Sequence, residues 1–326
     1  MNIKGKKFVV IGGAGLIGSH TIDKLLLEDI KEIIIYDNFV RGKYENIAES
    51  IKDPRVKIYE FGGDINNTDI LDSALINADG VFHFAALWLL QCHEYPRSAF
   101  DVNIRGTFNV IESCIKNNVK KIIFSSSASV YGDAIYEPID EEHPFGSKNF
   151  YGATKICCES MLKSFYHRYK LDYISLRYMN VYGVRQDYKG AYIAVIMKMI
   201  DSVIKNHSPV IFGDGSESFD FVSVKDCANA NILAMKSKAT NHHLNVGTGV
   251  STSLKKLAEL IVNLTKFKGN IIYKSQDNKT LVKNRVGSTS KAKSLIGFKS
   301  QISIEEGLRE VLKWRYSEAK REIDFE

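Results

Sequence analysis

Residues 8–18 read Phe8-Val9-Val10-Ile11-Gly12-Gly13-Ala14-Gly15-Leu16-Ile17-Gly18. The apolar residues before the glycines predict a buried strand, and the pattern that continues to Leu27 predicts a helix. A glycine run between a strand and a helix allows a tight turn and lets the backbone approach a pyrophosphate at the helix N-terminus. Because the run satisfies G-x-G-x-x-G in this setting, it predicts a dinucleotide-binding turn.

Strand and helix patterns alternate from this turn to about residue 180. Strands are predicted at residues 8–11, 32–36, 56–61, 81–84, 121–124 and 173–176, and helices at residues 16–27, 67–76, 98–117 and 151–170. Repeated strand–helix units predict an α/β protein with a Rossmann-type, doubly wound parallel sheet. Ligands bind such sheets at the carboxyl ends of the strands, where the glycines, Asp37, Ala85 and Ser127 all fall.

The pattern loosens in the second half of the chain. Helices are predicted at residues 191–206, 253–265 and 303–319, and strands at residues 210–212, 219–224 and 244–249. We expect a dinucleotide-binding domain over residues 1–180 and a smaller α/β substrate-binding lobe over residues 181–326. Segments around residues 219–246 are expected to return to the first domain.

Asp37 ends the second predicted strand, about 20 residues after the glycines. An acidic residue there binds both hydroxyls of an adenosine ribose and repels a 2′-phosphate, so NAD is favoured over NADP. Arg41 and Lys43 lie nearby and keep NADP open at this point. Ala85 and Ala86 end another strand, and their small side chains leave room for a flat cofactor.

Tyr151 and Lys155 stand four residues apart at the start of the predicted helix over residues 151–170. Such residues share one helix face. An ammonium group near a phenol favours the phenolate and lowers its pKa from about 10. The pair therefore predicts an acid or base for a substrate hydroxyl. The alternative is a surface pair without a chemical role.

Composition excludes several classes of protein. The net charge of +6 is spread along the chain, without the clustered basic residues of a nucleic-acid-binding protein. No apolar run reaches the roughly 18 residues of a membrane span. The N-terminus has no signal-peptide cleavage site, so the cytoplasm is the expected location. The five cysteines form no Cys-x-x-Cys pair and predict reduced thiols, and no metal site is expected.

Further motifs give the chain a family resemblance. They are Tyr36-Asp37-Asn38, Gly63-Asp64-Ile65, His83-Phe84-Ala85-Ala86, Asn103 to Thr107, Ser125 to Gly132, Tyr151 to Lys155, Leu176 to Gly183, Gly213-Asp214-Gly215, Asp220-Phe221-Val222, Asn245 to Gly249 and Arg285. With the glycine run, they resemble the extended short-chain dehydrogenase/reductases. Within these, the chain is similar to the NAD-dependent nucleotide-sugar epimerase/dehydratase group, in a UDP-glucose 4-epimerase-like form.

The resemblance implies roles for individual residues. Tyr151, Lys155 and Ser127 are the implied catalytic residues. NAD is expected at Gly12, Gly15, Leu16, Ile17, Asp37, Asn38, Asp64, Ile65, Phe84, Ala85, Ala86, Asn103, Ser125, Tyr151, Lys155 and Tyr178. A nucleotide-diphosphate sugar is expected at Ser127, Asn180, Arg285 and Trp88.

The family's reaction starts with removal of a proton from a sugar hydroxyl, usually at C4, and transfer of the C4 hydride to NAD. Its dehydratases need Asp-Glu after the active-site hydroxyl residue, but this chain has Ala128 and Ser129, so dehydration is disfavoured. The implied activity is a 4-epimerase that returns the hydride. The alternatives are a C4 dehydrogenase that releases a 4-keto sugar, possibly from a GDP-sugar, with NADH reoxidised, and a non-catalytic dinucleotide-binding protein.

Two departures from the family and one assembly prediction complete the interpretation. Phe219 stands where many members place an arginine on the diphosphate, which leaves Arg285 with more of the charge. Trp88 and its neighbours are bulky, and they either shape the sugar pocket or belong to the core. A homodimer is expected through residues 98–117 and 151–169, with Cys114, Ile115 and Met161 near the contact.

Overall fold

A computed structural model describes residues 1–189, 193–275, 282–323 and 325 of the protein. Its centre is a seven-stranded, fully parallel sheet. The strands are β1 (Lys7–Ile11), β2 (Glu32–Tyr36), β3 (Val56–Ile58), β4 (Gly80–His83), β5 (Lys121–Ser127), β6 (Asp172–Tyr178) and, much later in the chain, β11 (His242–Val246). Their spatial order is β11-β6-β5-β4-β1-β2-β3. The predicted Rossmann-type parallel sheet is confirmed.

Helices cover both faces of the sheet and also form part of the second half of the chain. They are α1 (Leu16–Leu26), α2 (Tyr44–Ile47), α3 (Thr68–Ala74), α4 (Leu89–Glu94), α5 (Pro96–Ala99), α6 (Gly106–Lys116), α7 (Phe150–Tyr169), α8 (Val195–Ile204), α9 (Val224–Lys236), α10 (Leu254–Leu264), α11 (Ser290–Ile296) and α12 (Ile304–Glu318). A π-helical turn at Phe100–Arg105 joins α5 to α6, and 3-10 turns occur at Ser50–Lys52 and Ala128–Val130.

The alternation of side chains along each strand divides the core into two layers. In β1, Phe8 and Val10 pack with α1 and α9 on one face of the sheet. Val9 and Ile11 point the other way and pack with α3, α6 and α7. Successive side chains of a strand point to opposite faces, so the continuous apolar run in β1 is what a doubly covered parallel strand requires.

The second half of the chain forms a smaller α/β lobe around its own apolar cluster, to which α8, α10 and α12 contribute. Its short strands are β7 (Asn180–Tyr182), β8 (Val210–Phe212), β9 (Ser218–Phe219), β10 (Phe221–Ser223), β12 (Thr252–Ser253), β13 (Ile272–Lys274) and β14 (Asn284–Arg285). They pair as β7 with β10, as β12-β9-β14, and as β8 with β13.

Part of the second half lies against the main sheet. Strand β11 pairs with β6 at the edge of the sheet, and α9 packs along α1. Asn231 of α9 donates a 3.0 Å hydrogen bond to Thr21 and accepts one of 2.6 Å from the Tyr178 hydroxyl. Within the described part of the chain, none of the helices has the length and apolar character needed to cross a bilayer.

Some boundaries differ from the sequence prediction. The expected strand over residues 219–224 is two strands, β9 and β10, separated by Asp220. The Asp220 N–H donates to the Arg285 carbonyl at 3.0 Å, and the Asp220 carbonyl accepts from Asn180 N–H at 2.9 Å, so the chain passes at this residue from the sheet that contains β14 to the pair with β7. The helix expected at residues 98–117 is interrupted by the π turn. The helix expected from Ala191 begins at Val195, and residues 191 and 192 lie outside the described residues.

Candidate active site

The predicted cofactor and catalytic residues follow neighbouring strands at one edge of the sheet. The glycine turn follows β1, Asp37 follows β2, Ala85 follows β4, and Ser127 ends β5. Because the strands are parallel, these carboxyl ends meet along a single edge. The sheet therefore brings together groups that are far apart in sequence.

The glycine turn is shaped for close backbone approach. Gly12 has a φ of +76°, and a Cβ atom on it would come within 2.7 Å of the backbone nitrogen of Ala85. A Cβ on Gly18 would lie 2.2 Å from the carbonyl oxygen of Gly12. Both positions therefore require glycine. Gly12 needs a positive φ and touches the chain after β4, and Gly18 allows α1 to pack on the turn.

The N-terminus of α1 fits the pyrophosphate of a dinucleotide. Gly15 is its N-cap residue, and neither a side-chain cap nor an acidic residue occupies the first turn. The first N–H groups of a helix lack intrahelical partners and carry partial positive charge. Gly12, Gly15, Leu16 and Ile17 are all partly exposed along this turn, so the backbone is accessible to an anion.

Asp37 ties the tip of β2 to the glycine turn. Its two carboxylate oxygens accept 2.8 Å hydrogen bonds from the backbone N–H groups of Ala14 and Phe39. Burial is the largest influence on this carboxyl and raises its pKa, against the lowering effect of the two hydrogen bonds. An ionised carboxylate has further lone pairs, so Asp37 retains acceptors for ribose hydroxyls.

The chain after β3 runs against Asp37. A Cβ on Gly63 would lie 2.1 Å from the Asp37 backbone. This close contact brings Asp64 and Ile65 to the same part of the sheet edge as Asp37. The Tyr36 hydroxyl donates a 2.8 Å hydrogen bond to the Asp64 carbonyl. Asn38 is exposed beside them, and its side chain accepts from Val40 N–H.

Two predicted cofactor residues direct their polar groups into the protein. The Asn103 side chain accepts a 2.7 Å hydrogen bond from Leu87 N–H and donates to the Leu87 carbonyl at 2.9 Å and to Thr154 Oγ1 at 3.1 Å. The Tyr178 hydroxyl is bound to Asn231. Asn103 therefore fixes the loop after β4 on α7, and the Tyr178 hydroxyl secures α9 to the end of β6.

Tyr151 lies in the first turn of α7 beside Ser127. The Asn149 side chain caps the helix by accepting a 2.8 Å hydrogen bond from Gly152 N–H. Thr154 Oγ1 donates to the Tyr151 carbonyl at 2.7 Å. Ser127 Oγ accepts from Ser129 N–H at 3.1 Å, which leaves its O–H for the hydrogen bond that Ser127 forms with the Tyr151 phenol.

The ionisation of Tyr151 differs from the expectation that Lys155 lowers its pKa. Burial raises the pKa of Tyr151 to about 12, while the hydrogen bond with Ser127 and the charge of Arg41 act to lower it. Lys155 Nζ donates to the Ser125 carbonyl at 2.7 Å and lies 5.6 Å from the centre of the Tyr151 ring. Burial also lowers the pKa of Lys155. The ammonium group is thus anchored to β5, and it does not offset the burial of the phenol.

Arg285 is a partly buried cation near the phenol. Its Nη2 donates a long 3.5 Å hydrogen bond to the Gly132 carbonyl, and its Nε has no partner among the described residues. Burial lowers the pKa of Arg285 to about 10, although Asp133 and Tyr151 raise it. Phe219 is its register partner in the neighbouring strand β9. A partly buried guanidinium with open donors beside an apolar ring is suited to an anionic ligand. Asn180 is partly exposed at the start of β7.

Trp88 is partly exposed after β4 rather than buried in the core. The Arg41 guanidinium lies over its ring, 5.1 Å from the ring centre. Sequence reasoning treated Arg41 only as a possible contact for a 2′-phosphate and missed its place beside Trp88 and Tyr151. No spacing rule connects residues 41, 88 and 151, so only the fold reveals this cluster.

The turn after Ser127 lacks a second acid–base pair. Ala128 and Ser129 lie in the 3-10 turn at Ala128–Val130, and both are buried. An alanine methyl group and a serine hydroxyl do not ionise at neutral pH. The site therefore supplies one phenol with its hydroxyl partner for proton transfer.

Comparison with known proteins agrees with this geometry. The profile of the NAD dependent epimerase/dehydratase family matches residues 8–247. The chain belongs to this family. A putative UDP-glucose 4-epimerase of Methanocaldococcus jannaschii is 38% identical over 310 residues, which cover 94% of this chain and 97% of that relative.

Two solved structures extend the similarity of this epimerase/dehydratase family member to the fold. A UDP-N-acetylglucosamine 4-epimerase from Methanobrevibacter ruminantium, in complex with UDP-N-acetylmuramic acid, is 38% identical with a TM-score of 0.91, covering 97% of this chain and 99% of its own. UDP-glucose 4-epimerase of Thermotoga maritima, with UDP-glucose, is 32% identical with a TM-score of 0.89, covering 96% and 99%. The predictions of the family, of an enzyme and of NAD as cofactor are confirmed.

Proposed function

We propose that the protein is an NAD-dependent 4-epimerase of UDP-hexoses. The observation that carries this proposal is the hydrogen-bonded Tyr151–Ser127 pair at the carboxyl edge of the sheet, followed by Ala128 and Ser129 instead of a second acid–base pair. All three relatives are named as 4-epimerases of UDP-sugars, one of them as putative, and these names support both the reaction and the nucleotide.

NAD, when bound, supplies the acceptor and donor of the C4 hydride. The first turn of α1, with Gly12 and Gly15, would hold its pyrophosphate, and Asp37 would accept hydrogen bonds from the adenosine ribose. Ala85, next to Gly12, would leave room for its flat rings. Lys155, anchored at Ser125, would face the other ribose.

Tyr151, as the phenolate, would take the proton of the C4 hydroxyl and return it when the epimer forms; the Ser127 hydrogen bond and the Arg41 charge, which both act to lower its pKa, favour that form. The Ser127 hydroxyl would hydrogen-bond the same sugar oxygen, and its hydrogen bond with Tyr151 would stabilise the phenolate that is present before the proton is taken and after it is returned. Because both residues serve either direction of proton transfer, one phenol suffices for an epimerase. A dehydratase needs further groups for C5 and C6.

Arg285 and Asn180 would bind the diphosphate of the UDP-sugar, with Trp88 beside the sugar. The open donors of Arg285 support this role. Phe219, beside Arg285, adds apolar surface instead of a second cation. We further propose that residues 1–180, with the returning segment around 219–246, bind NAD, and that residues 181–326 bind the UDP-sugar.

The assembly and location are also proposals. An exposed apolar strip along α6 and α7 supports a homodimer: Phe108 packs edge-on against Phe165 at 5.6 Å, and Tyr169 is 53% exposed. Cys114, expected near the contact, is fully buried within the protomer, whereas Ile115 and Met161 are partly buried. The five free cysteines support a reducing compartment, the cytoplasm.

The test uses the purified protein with catalytic NAD and, separately, UDP-glucose, UDP-N-acetylglucosamine and UDP-glucuronate. We expect at least one to equilibrate with its 4-epimer, followed by NMR, without net formation of NADH. A 4-keto sugar formed in the same amount as NADH, with both limited by the NAD added, would instead establish the C4 dehydrogenase. Loss of turnover in Tyr151→Phe, with turnover retained in Tyr166→Phe on the same helix, would tie the reaction to the site.

A further inference from the structure

Arg41 and Trp88 join two loops that the sheet separates. Arg41 lies in the loop after β2, and Trp88 lies in the loop after β4. In the sheet, β2 and β4 are the two neighbours of β1. The stacked side chains therefore bridge the two strands that flank β1, at the edge where β1 ends in the glycine turn.

The backbone on the β2 side of this bridge is anchored to the glycine turn. The Ala14 carbonyl accepts hydrogen bonds from Lys43 N–H at 3.2 Å and from the Asn46 side chain at 2.8 Å. A Cβ on Gly42 would come within 2.7 Å of the Ala14 Cβ. Arg41 therefore projects from a segment that lies directly on the predicted pyrophosphate site.

The backbone on the β4 side is anchored as well. Both backbone groups of Leu87, the residue before Trp88, are held by the Asn103 side chain, which in turn donates to Thr154 on α7. Because both backbones are anchored, the bridge can open and close only by movement of the two side chains. A guanidinium within about 6 Å of an indole ring is attracted to it.

Arg41 retains donors for an anion. Its ion pair with Asp187 is loose, at 3.9 Å, and its side chain is 38% exposed. Among the described residues, the Arg41 guanidinium donates no hydrogen bond, and this ion pair is its only charged contact. A planar guanidinium carries five N–H donors in a fork that matches phosphate oxygens, and stacking on an aromatic ring leaves these in-plane donors open.

We propose that Arg41 and Trp88, together called the clasp, close over the pyrophosphate of NAD bound at the glycine turn and slow its release. Trp88 orients the guanidinium, and Arg41 donates to the phosphate oxygens. This inference rests on the proposed function, because an epimerase regenerates its cofactor within the site and gains from keeping it. In this account Arg41 binds the cofactor and Trp88 is a positioning residue that acts through Arg41; neither takes part in proton transfer.

The test measures how fast the holoenzyme releases labelled NAD into an excess of unlabelled NAD. We expect Arg41→Gln and Trp88→Ala to release NAD about tenfold faster than the wild type, because one charge-assisted contact is lost. Trp88→Phe, which keeps a ring for stacking, is expected to stay within about threefold. Lys43→Gln is the matched control: it removes the same charge from the same loop and is expected to change the rate less than twofold, since its amine pairs with Asp187.

A second measurement separates the pyrophosphate from the rest of the dinucleotide. Arg41→Gln is expected to weaken binding of ADP-ribose about tenfold and to leave binding of adenosine unchanged.

Equal release rates in Arg41→Gln and the wild type, or an equal effect of Lys43→Gln, would overturn the proposal. So would a raised KM for the UDP-sugar with unchanged NAD release, which would assign Arg41 to the substrate. NAD release is scored without turnover, so its outcome is independent of whether epimerisation is found. Unchanged melting temperatures exclude misfolding as the cause.

Discussion

At the scale of the residue, the ionisation of Tyr151 is set by its surroundings rather than by its spacing from Lys155. Burial raises its pKa to about 12, and Ser127 lowers it through a hydrogen bond. The Tyr-x-x-x-Lys spacing predicted correctly that both side chains lie on the first turns of one helix. The spacing did not predict that the Lys155 ammonium group donates a hydrogen bond to the Ser125 carbonyl, which lies in strand β5.

The ionisation of this phenol can be measured directly. In the cofactor-free protein, the raised pKa keeps Tyr151 protonated at neutral pH and well above it, and phenolate forms only as the pH rises towards about 12. We expect the difference in absorbance at the tyrosinate band between wild type and Tyr151→Phe to stay flat from pH 6 to roughly pH 10. Titration of Tyr151 near pH 7 without NAD would show that Lys155 alone acidifies the phenol.

Arg285 gives a second prediction at this scale. Because the buried Nε of Arg285 has no partner in the part of the chain that the structure describes, the diphosphate of a UDP-sugar is expected to provide an acceptor. Arg285→Gln should raise KM for the UDP-sugar by about 10- to 100-fold, the range for a lost charge-assisted hydrogen bond. Steady-state kinetics with Arg309→Gln, an exposed arginine of α12, as control would check this. An unchanged KM in Arg285→Gln would contradict the role.

At the scale of the element, α7 is joined to the sheet by a buried ion pair. Glu159 Oε2 of α7 lies 2.6 Å from Arg177 Nη2 of β6, and both side chains are 2% exposed. Glu159 also accepts from Ser126, and Arg177 donates to the Tyr131 hydroxyl. The helix that carries Tyr151 is therefore held in place, one turn beyond Lys155, by a network that reaches β5 and β6.

Breaking this pair should destabilise the fold. Glu159→Gln leaves Arg177 buried without a counter-charge, and we expect a loss of about 3–5 kcal/mol in the free energy of unfolding. Burial raises the pKa of Glu159, but Arg177 outweighs it and the net pKa is lowered. The stabilisation is therefore present above the ordinary glutamate pKa of 4.5 and is lost as the pH falls below it.

Urea unfolding at neutral pH measures the effect. The control is Glu305→Gln, which breaks the exposed Glu305–Arg309 pair of α12 and should leave the midpoint almost unchanged. Equal midpoints for Glu159→Gln and the wild type would mean that the buried pair does not stabilise the protein.

The elements also differ in how far the sequence predicts them. Strands β2 and β8 match their predicted bounds, because an apolar run flanked by polar residues determines a strand locally. The break at Asp220 was missed, because it depends on pairing with Arg285 and Asn180, which are distant in the sequence. Helices α4 and α11 and strands β12 and β14 were not predicted either, since short elements carry little periodic signal.

The candidate site was also predicted only where its chemistry depends on residues close together in the sequence. Gly12 and Asp37 were predicted from motifs whose chemistry is local. The stacking of Arg41 on Trp88 and the commitment of the Asn103 amide to Leu87 depend on contacts across the fold. A spacing pattern names the residues that meet at a sheet edge, but it does not give the direction of their side chains.

At the scale of the whole molecule, the apolar strip on α6 and α7 predicts a dimer. Phe108→Lys combined with Phe165→Glu should give a monomer near the chain mass of 36.7 kDa, because charges would replace apolar surface in the contact. Light scattering after size exclusion measures the mass. Ile135→Lys, at a 74% exposed position outside these helices, is the control and should remain dimeric. A wild-type monomer would contradict the prediction.

The path of the chain through the sheet also matters during synthesis. Strand β11, at residues 242–246, completes one side of the sheet by pairing with β6, which ends at Tyr178. A ribosome must therefore add more than 60 residues after β6 before its open edge is covered. A nascent chain halted in that interval exposes unpaired backbone, which makes it a substrate for chaperones and a source of aggregation.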